Sequence, residues 1–422
     1  MNSKIMTTKC LLITILFSIL SCSEGQENRS VDGKKYNSYT GLVMAGYQGW
    51  FSAPGDGSGR GWYHYQKNGR FEPGHTNVDF WPDVSEYEVL YKTAFTFADG
   101  SPAYTFSSYD ESTVATHFRW MREYGVDGVF VQRFVAEIKS PASYGQLNKV
   151  FDSAIKAANA NDRAVSIMYD LSGMVPGDEK LLLKDIDAIT AKYDIRERKE
   201  NTSYLHHNGK PLVAVWGVGF NDNRRYGFHE AEIIIDALCD RGFSVLIGVP
   251  TNWRKMENDT MNDPKLHELI LKCDIVMPWL VGRFDEGNFA PFFSNLVKDD
   301  IEWCKKKGID YVPLVFPGFS WRNMQHPHSG THIPRNYGRF YWQQIYSHLK
   351  NGAGMLYVAM FDEIDEGTAV FKCATEVPVG GESVFVPIEE GLDSDFYLWL
   401  TGEARRALRG DMPLTPDVPR RK

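Results

Sequence analysis

Short apolar runs recur along this 422-residue chain, and almost every one is followed by an amphipathic helical pattern. The runs are Gly41–Phe51, Val126–Phe134, Ala164–Leu171, Pro211–Val218, Ser244–Val249, Ile275–Trp279, Tyr311–Phe316 and Gly354–Phe361. They are mostly continuous Val, Ile, Leu and Met without alternation, as expected of strands covered on both faces. Helices are predicted over Glu111–Tyr124, Tyr144–Ala158, Glu179–Tyr193, His229–Arg241, Lys265–Lys272, Asn295–Lys307 and Arg339–Lys350. Arg241-Gly242, Lys307-Gly308 and Asn351-Gly352 supply the glycine that commonly ends a helix. Strand and helix alternating in this order, with right-handed crossovers, give an α/β fold of the closed (β/α)8 TIM-barrel type. A doubly wound open sheet is the competing architecture, but no Gly-rich phosphate loop follows any strand. Gly55-Asp56-Gly57-Ser58-Gly59 lacks the Lys-Ser/Thr of such a loop and opens no helix.

Segments after the strands are long and rich in Gly and aromatics, whereas those before them are short. The longest, residues 52–110, carries Trp62, Tyr63, His64 and Tyr65. Loops on the C-terminal face of a barrel are where its chemistry sits. Residues 37–411 form the expected barrel domain, closed by a last helix over Ser394–Arg409, with 412–422 as a tail.

At the N-terminus, Lys4 and Lys9 precede the apolar run from Cys10 to Leu20, which is too short to span a bilayer permanently. Residues 1–22 read as a lipoprotein signal peptide. Ile19-Leu20-Ser21-Cys22 resembles a bacterial lipobox, making Cys22 the expected lipidation site and residues 23–36 a polar tether. The expectation is an exported outer-membrane or cell-surface lipoprotein, with plain signal cleavage and a periplasmic protein as the alternative. The formal charge of -8 argues against a nucleic-acid partner. Cys239, Cys273, Cys304 and Cys373 are widely spaced without CxxC, so buried thiols are expected, a single disulfide staying open. His326, His328 and His332 have no obvious carboxylate partner and read as surface histidines rather than a metal site.

Chemistry concentrates in Phe361-Asp362-Glu363-Ile364-Asp365-Glu366-Gly367-Thr368, at the end of the last strand. Burying carboxylates without partners costs several kcal/mol, roughly, so a core has little use for them there. Two carboxylates held close raise one another's proton affinity, leaving one acid and one base near neutral pH. That pair is what hydrolysis of a glycosidic bond needs, so Glu363 and Glu366 are the candidate catalytic residues. At other strand ends, Asp170 and Arg133 are expected to point into the mouth, with Arg283 and Arg322 in nearby loops. Converging Arg would suit an anionic sugar, unless each pairs with an Asp such as Asp170 or Asp285. Trp50, Trp62, Trp279 and Trp321 are candidate platforms for sugar rings.

The same segment resembles the Phe-Asn-Glu-Trp-x-Glu-Gly-Thr signature of glycoside hydrolase family 99 and its relatives in family 71. Pro317-Gly318-Phe319 is similar to the family's Pro-Gly-Tyr. The stretch from Ile333-Pro334-Arg335 to Gln343 is similar to that leading into its last helix. Tyr47-Gln48-Gly49-Trp50 stands where the family has Tyr-Pro-Trp-Tyr. The resemblance implies a retaining endo-α-mannosidase on a (β/α)8 barrel that needs no cofactor. Glu363 would draw the proton from the sugar's own 2-hydroxyl, whose oxygen attacks the anomeric carbon to give a 1,2-anhydro intermediate. Glu366 would protonate the leaving oxygen and then activate water. Tyr47, Phe319 and Asp362 are substrate-binding positions on the same footing. Asp362 replaces Asn, Ile364 replaces Trp and Phe319 replaces Tyr, which changes the hydrogen bonds a mannose hydroxyl would meet. Two alternatives stay open: an exo-glycosidase on a pentose or a modified or anionic sugar, and a glycan-binding lipoprotein without turnover.

Overall fold

The computed structural model describes residues 35–325 and 332–421. Barrel strands β1 (Val43–Tyr47), β2 (Gly128–Phe134), β3 (Ala164–Asp170), β4 (Lys210–Trp216), β5 (Ser244–Val249) and β6 (Ile275–Pro278) lie parallel in that spatial order. β8 (Leu356–Val358) returns to pair with β1, Val43 opposite Leu356. Strand β7 is in two pieces: Asp310–Tyr311 pairs with β6 and Leu314–Val315 with β8. Proline has no N–H to give a ladder, and Pro313 marks the break. The Val312 N–H still donates to the Val276 carbonyl on the β6 side, while the Pro313 carbonyl accepts from Tyr357 on the β8 side. The two ends of the sheet therefore meet within one strand, and the barrel closes.

Helices α1 (Glu111–Tyr124), α2 (Pro141–Asn161), α3 (Glu179–Tyr193), α4 (Phe228–Asp240) and α5 (Lys265–Ile270) follow the first strands. After them come α6 (Lys298–Lys307), entered through a wider π-type turn over Phe293–Val297, α7 (Arg339–Lys350) and the closing α8 (Phe396–Arg409). Boundaries differ from the sequence expectation by a few residues, chiefly where strand-like runs continue into loops.

Two apolar cores explain the unbroken Val/Ile/Leu strands. Met44, Phe130, Met168, Leu212, Leu246, Met277, Leu314 and Tyr357 fill the inside of the barrel. Val43, Val129, Ile167, Val213, Ile247, Val276, Val315 and Val358 pack outward against the helices. Successive side chains alternate between these cores. Gly46 faces inward, where a Cβ would lie 2.2 Å from the Met360 thioether methyl and 2.3 Å from the Tyr357 hydroxyl, so no larger residue fits.

The same alternation corrects two expected mouth residues. Arg133 is on the outward face of β2, fully buried, and donates through Nε and Nη2 to both oxygens of Asp185 on α3 at 2.8 and 2.7 Å. Tyr169 also donates to Asp185, at 2.7 Å, and Asn148 accepts from Arg133 at 2.9 Å. Tyr47 likewise points outward and meets His117 Nδ1 of α1 at 2.8 Å. Neither side chain reaches the barrel mouth. No helix among the described residues is long and apolar enough to cross a membrane. Cys239, Cys273, Cys304 and Cys373 are free thiols.

The Arg133–Asp185 pair pins α3 to the barrel, and removing one partner leaves a buried charge unpaired. Asp185→Ala is expected to cost about 3–5 kcal/mol, measured as a lower urea midpoint at unchanged slope. A loss within error of zero would mean the pair is not what docks this helix.

Candidate active site

At the C-terminal end of the barrel the inward residues of several strands, and the turn after β8, enclose a cavity of about 340 Å³. Glu363 and Glu366 both line it, together with Asp170 from the end of β3. A larger open groove of about 1010 Å³ lies beside Trp81–Ser85 and residues 374–377. The mouth is the better candidate because of its chemistry. Gln48 Oε1, Gln132 Oε1 and the indole N–H groups of Trp50 and Trp216 are buried there with no hydrogen-bond partner, while the Trp321 indole N–H is directed at Glu366. Leaving such a group unsatisfied costs about 1–3 kcal/mol each, and native proteins rarely do so without a reason. Two acceptors and two donors around one cavity suit a ligand bearing several hydroxyls.

The turn after β8 is built to hold carboxylates. The Phe361 N–H still donates to the Gly46 carbonyl, continuing the β1–β8 seam. Asp362 then turns back to β1, its two oxygens accepting the backbone N–H groups of Gln48 and Gly49 at 2.8 and 2.9 Å. Burial pushes this carboxyl up to about 7. Asp362 is thus a clamp between the first and last strands, fully buried beneath the cavity rather than a substrate contact.

Glu363 is held by two side chains. The Gln48 amide N–H donates to Oε1 at 2.6 Å and the Thr368 hydroxyl to Oε2 at 2.5 Å. Burial, then the Glu366 and Asp365 carboxylates, raise its proton affinity strongly, and these two donors oppose the rise. Glu366 is partly exposed to the cavity, with the Trp321 indole N–H nearby. Burial and the charge of Asp365 push it up, with a smaller contribution from Asp170. Its backbone is fixed from the β7 loop, where the Ser320 N–H donates to the Glu366 carbonyl at 2.8 Å. Arg335 donates to the carbonyls of Gly367 and Ala369 at 2.9 and 2.7 Å. Gly367 has φ +67, and a Cβ there would stand 2.9 Å from Ser320, so the turn requires glycine.

Asp170 accepts the Ser172 N–H at 2.7 Å, and burial pushes it up to about 6. Trp50 is stacked on His64 at 3.7 Å and 6°, with Phe134 at 5.7 Å. It therefore lines the site without offering a bare ring face. Trp216 and Trp279 meet edge to face at 5.1 Å, and Trp321 packs on Phe319 at 5.1 Å.

Several expected contacts lie elsewhere. Phe319 lines a separate small pocket with Phe80 and Arg335. Trp62 packs against Phe71 and Tyr65. Arg283 pairs with Asp259 of the preceding β5 loop at 3.5 Å. The backbone of Arg322 donates to Asp79 at 2.7 Å, and its charge acts on Asp79 and His332. Among the described residues, no Lys or Arg lines the mouth, so the three-arginine anion site does not form. His326 and His328 lie outside the described residues.

Reading by residue type missed Gln48, Gln132, Trp216 and Thr368. Strand parity was the available signal: the residue next to Tyr47, and the one next to Arg133, are the inward ones.

No protein-family profile matches the chain, and no curated protein sequence matches it. Solved structures do. Two structures of the GH99 endo-α-mannosidase from Bacteroides thetaiotaomicron, one in complex with BIS-TRIS-propane, align with TM-scores of 0.61 and 0.63 at 15% identity. They cover 89% and 88% of this chain and 99% of their own. A protein described as glycoside hydrolase-like aligns at 0.51 with 13% identity, over 77% of this chain and 92% of its own. At such identities the likeness establishes architecture: over 89% and 88% of its length this chain has the barrel fold of the family 99 mannosidase.

Proposed function

We propose that the protein is a glycoside hydrolase cleaving α-linked oligosaccharides or polysaccharides with retention, through Glu363 as base and Glu366 as acid/base. The observation that carries this reading is the unequal setting of two carboxylates on one cavity. Glu363 accepts from an amide and a hydroxyl, which favours its ionised form. Burial and the neighbouring carboxylates raise the proton affinity of both glutamates, Glu363 strongly, so the pair shares a proton, and the two donors at Glu363 favour that proton residing on the cavity-facing Glu366.

The chemistry follows from these two states. Glu363 takes the proton of the sugar 2-hydroxyl as its oxygen bonds to the anomeric carbon. The glycosidic bond breaks, and its oxygen takes the proton of Glu366. Glu366, now a carboxylate, removes a proton from water attacking the anomeric carbon. The 2-oxygen recovers its proton from Glu363, and two inversions give retention. The unpartnered amide and indole groups bind sugar hydroxyls, and the lining without Lys or Arg favours an uncharged glycan. The lipobox-like Ile19–Cys22 supports export and tethering at a bacterial surface through lipid on Cys22, with a cleaved periplasmic protein as the alternative.

Glu366→Gln is expected to lower kcat on α-mannan oligosaccharides by roughly 10²-fold or more, with the dissociation constant little changed by calorimetry. NMR of the wild-type reaction should show the α-anomer of the product first. Turnover at the wild-type rate in Glu366→Gln would remove the assignment. The sign of the pH dependence is fixed by the roles: activity falls at low pH, where both glutamates of the pair carry protons, and at high pH, where neither does. Thr368→Val deletes a donor to the Glu363 carboxylate, so the acid limb of kcat/KM should move up by about one unit. A limb that stays in place would mean Glu363 is not the base.

A further inference from the structure

Asp365 stands between the two glutamates in the chain, yet it does not line the cavity. It is fully buried. Its Oδ2 lies 3.0 Å from His64 Nδ1, its Oδ1 has no side-chain partner, and the backbone N–H groups of Asp365 and Glu366 oppose the rise in proton affinity that burial imposes on it. His64 comes from the long loop after β1 and holds a left-handed backbone at φ 64. Its ring lies flat on Trp50, one wall of the cavity.

The charges around this contact decide which partner carries the proton. From its own turn, Asp365 meets the carboxyls of Asp362, Glu363 and Glu366. From the β1 loop it meets His64 and, more distantly, the Tyr65 hydroxyl. Arg60 and Glu137 act on His64 but are paired with each other at 3.3 Å. Among the described residues, no Lys or Arg pairs with Asp365. Burial favours the neutral imidazole, with Glu137 opposing and Arg60 assisting, and a neutral ring offers Asp365 one lone pair and no charge. An ionised Asp365 would then be one more negative charge beside two carboxylates in apolar surroundings. A carboxylic acid whose O–H points at the Nδ1 lone pair satisfies both partners and adds none.

We propose that Asp365 is a positioning residue, kept as a neutral carboxylic acid by donating its O–H to His64. The lock leaves the Glu363–Glu366 pair as the only carboxylates of this turn that exchange a proton with substrate, and it fixes Trp50 through the stacked ring. A charge on Asp365 would raise the proton affinity of both glutamates and take the base out of its working form. The kinetic consequence rests on the assignment of those two glutamates, whereas the protonation state of Asp365 does not.

Infrared difference spectra of the full chain at pH 7, wild type against Asp365→Asn, read that state directly and need no turnover. The expected difference is loss of a protonated-carboxyl C=O band; loss of ionised carboxylate bands would overturn the proposal. In the pH profile of kcat/KM, Asp365→Asn should leave both limbs where they are, since Asn is also neutral and can donate to Nδ1. Movement of the limbs to lower pH by about one unit or more would show that a charge had been removed, and would also overturn it. His64→Phe keeps a ring on Trp50 but deletes the acceptor, which lowers the proton affinity of Asp365. Both limbs should then move to higher pH by about half a unit; limbs that do not move would refute the lock. If glycans of every class prove inert, the hydrolase reading fails while the infrared result still decides the state of Asp365.

Discussion

The seam between the first and last barrel strands carries more of this structure than any other contact. There the chain turns sharply after β8 and buries four carboxyl groups within five residues, Asp362 to Glu366. Each is anchored differently: Asp362 by backbone N–H groups of β1's end, Glu363 by Gln48 and Thr368, Asp365 by His64, and Glu366 through its own backbone to Ser320. Closure of the barrel and assembly of the site are therefore one event. If β1 and β8 were not zipped together, these carboxyls would lose their donors and the turn would open to water.

Such a cluster destabilises the fold above the ordinary carboxylate range, because groups whose proton affinity is raised in the native state must give up protons as pH rises. The surrounding structure absorbs that cost. Two continuous apolar cores lie inside and outside the strands, and Arg335, sandwiched between Phe80 and Tyr397, holds the turn by its carbonyls. Buried amide and indole groups left without partners around a carboxyl-lined cavity, on a scaffold with two apolar cores, fit a site preorganised for a ligand.

Arginine has been used here for architecture. Arg133 fastens α3, Arg335 braces the β8 turn, Arg283 pairs with Asp259 of the β5 loop, and the Arg322 backbone binds Asp79 of the β1 loop. The cavity is left with carboxyls, amides and indoles. Those groups recognise hydroxyls well and anions poorly, because nothing in the wall offsets a second negative charge. The anionic-sugar site that a count of strand-end arginines suggests is therefore not assembled by Arg133, Arg283 and Arg322.

The barrel strands, the main helices between them and their order were legible in the sequence, because strands buried on both faces leave unbroken apolar runs and the intervening helices keep their period, whereas the hairpin Tyr91–Thr96/Pro102–Thr105 in the long first loop was not. The importance of the turn at 361–368 was legible as well, since adjacent acids after such a run have no packing rationale. What the sequence by itself could not choose was which neighbour at each strand end faces inward. Residue type favoured Tyr47 and Arg133; pleat and register turned both outward and put Gln48 and Gln132 into the cavity. A one-residue difference flips a side chain from one core to the other, and only the closed sheet sets that phase. The contact between His64 and Asp365 spans 301 positions of chain. No local pattern encodes it, because it exists only when the loop after the first strand folds over the turn that follows the last.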